Sequence, residues 1–226
     1  MDKRSGCQNR KKFDLTLYLV AGMEEFSEEQ FLGKVEEALK GGVTIVQLRE
    51  KNMDGGPLLG LASRLKMLTD RYKVPLIIDD RIDVAAACDA AGVHLGQTDL
   101  PADAARAILG EDKIIGVTVK TMEQGKEAIR MGADYFGVGA VYPSSTKEQA
   151  VHTPIEKIAE ICREFSVPCV AIGGLKAANL SILDKVPANG IAVVSAIMHA
   201  EDPRAEAAKL KAAVQALREY CPSPSA

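Results

Sequence analysis

The sequence predicts an α/β chain folded as a closed parallel (β/α)8 barrel. Three observations predict it. Eight short runs rich in Val, Ile and Leu alternate with Ala-rich, charged stretches of helical length, the order a parallel sheet requires. The 226 residues are 47% hydrophobic but only 4% aromatic, with no Trp, so the core must be aliphatic, as the layered interior and helix shell of such a barrel are. Finally, Gly41-Gly42, Gly92, Gly132 and Gly190 punctuate the joins from helix to strand.

The strands are expected at Leu15–Val20, Thr44–Arg49, Leu76–Asp79, Val93–Leu95, Ile114–Thr118, Tyr135–Val138, Val167–Ile172 and Gly190–Val194. Each is followed by a helical stretch, the last over about Pro203–Arg218, and eight such units close a barrel rather than leave an open sheet. Local chemistry marks helix starts. Ser27 with Gln30, and Thr121 with Gln124, have the spacing of a capping box, in which a hydroxyl and an amide satisfy free backbone N–H groups reciprocally. Thr153-Pro154 adds a proline where the first turn lacks a use for its N–H. A chain of this length buries a core without staples, and the interior shows no linker or low-complexity block. One TIM barrel domain over residues 13–219 is therefore expected. Residues 1–12 read as a disordered basic arm and 220–226 as a frayed Pro/Ser-rich tail.

The net charge of −3 offers nothing global to nucleic acid or an anionic membrane, and no apolar run is long enough to span a bilayer. Five cysteines, an odd number without CxxC spacing, predict free thiols in a reducing, cytoplasmic compartment, with Cys162 and Cys169 as small buried residues. The expected partners are small molecules, and the composition is compatible with a homo-oligomer.

In a parallel barrel the active site lies at the carboxyl ends of the strands. The second strand ends Gln47-Leu48-Arg49-Glu50-Lys51. Gln47 and Arg49 share a face, and an inward amide and guanidinium are costly unless paired. An anionic ligand would pair them, with Arg49 as a fork for phosphate oxygens and Lys51 as a point charge at the rim; a structural Arg–carboxylate pair would also serve. The third and fourth strands end in Asp79-Asp80 and in Gly96-Gln97-Thr98-Asp99. Asp80 and Asp99, at neighbouring strand ends, could share one Mg2+, whose shell ligand phosphates and water complete, or could instead cap helices. The sixth strand runs into a hydroxyl-rich loop, Tyr142-Pro143-Ser144-Ser145-Thr146-Lys147, suited to phosphate. Gly173-Gly174 and Ser195 end the last two strands, where barrels commonly hold a phosphate. His94, His152 and His199 show no metal spacing, and His94 reads as structural.

These pieces in this order resemble the thiamine-phosphate synthase family. The resemblance runs from about Leu15 to Leu217 and rests on QLREK (Gln47–Lys51), DDR (Asp79–Arg81), HLGQTD (His94–Asp99), GVTVKT (Gly116–Thr121), GVGAVYPSSTK (Gly137–Lys147), AIGGL (Ala171–Leu175) and VVSAI (Val193–Ile197). It implies a transferase that joins hydroxymethylpyrimidine diphosphate to hydroxyethylthiazole phosphate, giving thiamine phosphate and diphosphate. By the same resemblance Gln47, Arg49, Lys51, Thr118 and Lys147 would hold the pyrimidine diphosphate, and Asp79 stands among the substrate-binding positions. Arg49, Lys51, Lys147 and Thr118 would act in catalysis, and Asp80 and Asp99 would hold Mg2+. Ser144, Ser145, Thr146, Gly174, Val194 and Ser195 would hold the thiazole phosphate. The chain departs from the family's usual pattern with Asp79 in place of Asn, Thr118 in place of Ser and Lys120 in place of His. Three other readings share the fold: a thiazole tautomerase-like paralogue, a phosphosugar isomerase, epimerase or aldolase, and a non-catalytic barrel that binds thiamine precursors.

Overall fold

Eight parallel strands run in chain order around the barrel, and the computed structural model closes the ring by pairing the first with the last. It describes residues 13–23, 26–143 and 152–220. The strands are β1 (Leu17–Ala21), β2 (Ile45–Leu48), β3 (Leu76–Asp79), β4 (Gly92–Leu95), β5 (Ile114–Val119), β6 (Tyr135–Gly139), β7 (Cys169–Ile172) and β8 (Gly190–Val193). Helices α1 (Glu28–Lys40), α2 (Gly55–Arg71), α3 (Ile82–Ala87), α4 (Ala102–Leu109), α5 (Met122–Arg130) and α6 (Ile155–Glu164) follow the first six strands. A 3-10 helix (Ala177–Leu183) follows β7; the short α7 (Ser195–Met198) and then α8 (Pro203–Tyr220) follow β8. All eight expected strands are present. The expected arm at 1–12 and most of the tail lie outside the described residues. No described helix is long and apolar enough to cross a membrane.

The alternation of side chains divides the core into two layers. Leu19, Val46, Leu48, Ile78, Val93, Val117 and Val138 pack outward against the helices. Tyr18, Val20, Ile45, Ile77, Ile114, Tyr135, Val170 and Ala192 fill the barrel itself. The α1 capping box forms in full: Gln30 N donates to Ser27 Oγ (3.2 Å) and Ser27 N to Gln30 Oε1 (2.9 Å). The second box is shifted. Thr121 Oγ1 accepts from Gln124 N (3.2 Å), but the Gln124 side chain accepts from Lys120 N (2.8 Å), one residue early. Thr153 does not cap α6. It is buried, and its hydroxyl donates to the Gly139 carbonyl at the end of β6 (2.8 Å), while Pro154 takes the cap position.

Cysteines 88, 162 and 169 are free thiols, the latter two buried and in contact; Cys7 and Cys221 lie outside the described residues.

Candidate active site

A cavity opens at the carboxyl end of the barrel, lined by residues from all eight strands, among them Gln47 on β2 and Arg49 just after it, Asp79 on β3, His94 on β4, and Thr118 on β5 with Lys120 just after it. The shared face of Gln47 and Arg49 is thus the cavity face. Beneath them a chain of polar side chains crosses the barrel. Gln47 Nε2 donates to Tyr18 Oη (2.7 Å), Tyr18 Oη lies 2.8 Å from Tyr135 Oη, and His94 bonds Tyr135 Oη through Nδ1 (3.0 Å) and Thr118 Oγ1 through Nε2 (2.9 Å). Burial pushes both phenol pKa values up, so the two tyrosines stay neutral.

At the mouth, charges converge. Lys51 Nζ lies 2.9 Å from Asp79 Oδ2 and in direct contact with Asp80 Oδ2; Arg49 Nε lies 3.5 Å from the same Asp79 oxygen. Adjacent strand residues ordinarily point to opposite faces, but Asp80 has φ +58°, and this left-handed step lets both carboxylates reach one lysine. Asp80 also hydrogen-bonds Asp99, whose Oδ2 accepts from Gly96 N (2.6 Å). Burial, then the Asp80 charge, raises the pKa of Asp79 against the pull of Lys51. Burial and the hydrogen bond with Asp80 raise that of Asp99. Burial would raise Asp80 too, but hydrogen bonds from Lys51 and Asp99 outweigh it and leave it lowered. Asp80 is therefore the more acidic partner of a hydrogen-bonded carboxyl pair. That is the arrangement a cation replaces. No group of three or more His, Cys, Asp or Glu residues converges among the described residues, so the protein offers part of a shell. Two carboxylates with the remaining positions left to ligand and water fit Mg2+. Glu50, inside the same motif, faces elsewhere: its carboxylate accepts from Met23 N and ties down the loop after β1.

Across the mouth, Gly174, Val194 and Ser195 also line the cavity, Ser195 as the first residue of α7. The turn after β7 needs glycine twice. Gly173 and Gly174 have φ +114° and +61°, and a Cβ on Gly174 would sit 2.7 Å from Tyr142 Cβ. Val141 N and Tyr142 N donate to Ile172 O and Gly173 O (2.9 and 3.0 Å), so the chain leaving β6 lies directly over this turn. Ser144, Ser145, Thr146 and Lys147, expected to reach phosphate, lie outside the described residues, which end there at Pro143.

Residues 17–197 match the family described as thiamine monophosphate synthase. The chain belongs to the thiamine monophosphate synthase family. It is an enzyme, a transferase of thiamine biosynthesis. Among its relatives, thiamine-phosphate synthase of Methanobrevibacter smithii is 50% identical over 191 residues, covering 84% of this chain and 91% of that protein. Thiamine-phosphate synthase 2 of Streptococcus pneumoniae serotype 4 is 50% identical over 192 residues, covering 85% and 91%. The solved structure of thiamine phosphate pyrophosphorylase from Pyrococcus furiosus superposes with a TM-score of 0.82 at 37% identity, covering 90% of this chain and 96% of that one.

Within this thiamine monophosphate synthase barrel the sequence motifs mark the charged rim and include Gln47, His94 and Thr118 of the polar floor, but not the two tyrosines that join them. His94, read from sequence as structural, faces the cavity with both ring nitrogens engaged. Tyr18 and Tyr135 carry no motif. Period-two alternation was the available signal: His94, like Gln47 and Asp79, stands on the inward set of its strand.

Proposed function

We propose that this chain condenses hydroxymethylpyrimidine diphosphate with hydroxyethylthiazole phosphate to thiamine phosphate, releasing diphosphate by a dissociative route. The observation that carries the proposal is the convergence of Arg49 and Lys51 on the cavity mouth beside the Asp80–Asp99 pair. Arg49 and Lys51 would bind the diphosphate, exchanging the carboxylate oxygens they hold now for phosphate oxygens, and Lys147 would join them. Mg2+ held by Asp80 and Asp99 would neutralise part of the leaving group's charge. As the bond from the pyrimidine methylene carbon to oxygen breaks, its electron pair leaves with diphosphate. The cations meet that charge where it grows. The electron-rich aminopyrimidine stabilises the methylene cation, and the thiazole nitrogen lone pair forms the new carbon–nitrogen bond. Gly174, Val194 and Ser195, with Ser144, Ser145 and Thr146, would hold the thiazole phosphate so that nitrogen and carbon are already close. Gln47, Asp79 and Thr118 would line the diphosphate side. The route needs no protein nucleophile or general base. The free thiols support a reducing, cytoplasmic setting.

Purified protein mixed with both precursors and Mg2+ should release thiamine phosphate and diphosphate in equal amounts. No product from authentic substrates would refute the synthase reading; binding of both without turnover would make the chain a precursor-binding barrel.

A further inference from the structure

The polar chain under the cavity has a direction. A phenol has one proton to give. Tyr18 Oη accepts from the Gln47 amide (2.7 Å) and shares a hydrogen bond with Tyr135 Oη at 2.8 Å in which either oxygen could donate; with Gln47 as its own donor, Tyr18 can pass its proton on to Tyr135. Tyr135 then has His94 Nδ1, at 3.0 Å, as the acceptor for its own proton. A ring nitrogen that accepts carries no hydrogen, which places the imidazole proton on Nε2, pointed at Thr118 Oγ1 2.9 Å away. With its oxygen occupied as an acceptor, the Thr118 hydroxyl gives its proton elsewhere, and Thr118 lines the cavity.

The opposite polarity would have the opposite consequence. If His94 carried its proton on Nδ1, Thr118 would donate to Nε2 and present lone pairs to the cavity. Phosphate oxygens only accept. A hydroxyl with a proton to offer attracts the leaving diphosphate; one without repels it. The barrel is built around this arrangement. A Cβ on Gly116 would lie 2.1 Å from the Tyr135 ring carbon that bears the hydroxyl, and one on Gly137 would lie 3.0 Å from His94 Cε1, so each ring occupies space that a glycine leaves.

We propose that Tyr135 is a positioning residue: the relay from Gln47 through Tyr18, Tyr135 and His94 fixes the Nε2–H tautomer of His94 and turns the Thr118 hydroxyl proton into the cavity, toward an anionic oxygen of the substrate. The final contact rests on the synthase reading; the polarity of the relay does not.

Two measurements test it. On protein labelled with 15N-histidine, with His94 assigned against His94→Asn, Nδ1 should resonate as an unprotonated nitrogen and Nε2 as a protonated one. The reverse tautomer would overturn the relay whatever the enzyme makes. The second is a double-mutant cycle on the affinity for inorganic diphosphate with Mg2+ and on kcat. Thr118→Val should lower these by about ten- to a hundredfold, the loss of one hydrogen bond to a charged group. Tyr135→Phe, whose ring keeps its slot, should lower them by less. The double variant should be no worse than Thr118→Val, because Tyr135 acts through that hydroxyl. Losses that simply multiply would show Tyr135 to be a packing residue and overturn the proposal. A protein that binds diphosphate but makes no thiamine phosphate still reports through the spectrum and the binding cycle, which separates failure of the relay from failure of the synthase reading.

Discussion

Asp79→Asn removes one negative charge from the wall of the cavity with almost no change of shape. In the free protein that charge occupies the two cations proposed to hold diphosphate, at 2.9 Å from Lys51 and 3.5 Å from Arg49. A phosphate oxygen bonded to the far side of Lys51 would lie about 6 Å from the same carboxylate oxygen. Repulsion per unit charge at that distance is about 2.8 kcal/mol at an effective dielectric constant of about 20 and about 0.7 kcal/mol in bulk water. Lys51 is 41% exposed while Asp79 is 9% exposed, so the screened, lower half of that range applies, about 1–2 kcal/mol, or roughly five- to thirtyfold in affinity. The assay is steady-state kinetics with the pyrimidine diphosphate varied at saturating thiazole phosphate, together with the inhibition constant of inorganic diphosphate. Both KM and that constant should fall. Stability gives an independent reading. Burial, then the charge on Asp80, raises the Asp79 pKa. A carboxyl raised in the folded state adds stability below its unfolded pKa and loses it as pH rises through its folded pKa. At neutral pH Asn should therefore be neutral or stabilising, and the melting temperature should lose that decline with rising pH. A higher KM with a lower melting temperature would refute the reasoning: Asp79 would then be a scaffold for Lys51 rather than a competitor for it.

Arg49→Ala or Asp99→Ala should lower turnover by about two to three orders of magnitude with the circular dichroism spectrum unchanged, since each removes charge stabilisation at the leaving group; near-normal rates for both would mean that the site lies elsewhere. Gly174→Ala forces a side chain into a left-handed turn with 2.7 Å of room, and should cost about 1–3 kcal/mol by urea unfolding and raise KM for the thiazole phosphate more than for the diphosphate. At the opposite end of the barrel, Arg106 pairs with buried Asp134 (2.6 Å) and donates to the carbonyls of Gly110 (2.9 Å), Lys113 (2.6 Å) and Gly132 (3.1 Å). Arg106→Ala should therefore cost about 3–5 kcal/mol of stability while leaving KM for both substrates unchanged.

The barrel was legible because its signals are periodic and repeated. Eight aliphatic runs each carry their own phase, and the strand ends missed by at most two residues, as at Leu15 and Val167, where Pro168 and the first turn precede the ladder. The inward face of Gln47 and Arg49 followed from alternation alone. Two features were not legible. Asp79 and Asp80 should have pointed apart, and only the left-handed φ at Asp80, which no pattern in the sequence announces, sends both to Lys51. The relay of Tyr18, Tyr135 and His94 joins β1, β4 and β6, and contacts between distant strands have no local signature.

The proposed diphosphate site has Asp79 on its wall and Asp80 and Asp99 beside it. Among the described groups at the mouth, Arg49 lies by Asp79, Lys51 bridges Asp79 and Asp80, Asp80 hydrogen-bonds Asp99, and Lys120 lines the cavity. Three positive and three negative groups leave a site close to neutral, on a chain whose net charge is −3. A near-neutral mouth has little to offer diphosphate beyond directional hydrogen bonds. A divalent cation changes both sides of that balance. Held by Asp80 and Asp99, it would compete with any proton on Asp99, whose pKa is raised, and would add charge where phosphate oxygens can complete its shell. Diphosphate binding should therefore depend on Mg2+ far more steeply than one ligand bond would suggest, and should release about one proton where Asp99 is still protonated. Titration calorimetry of inorganic diphosphate in buffers of different ionisation enthalpy, with and without EDTA, reads both quantities. Equal affinity in EDTA would mean that the protein cations suffice alone, and that Asp80 and Asp99 serve only to hold the loops after β3 and β4.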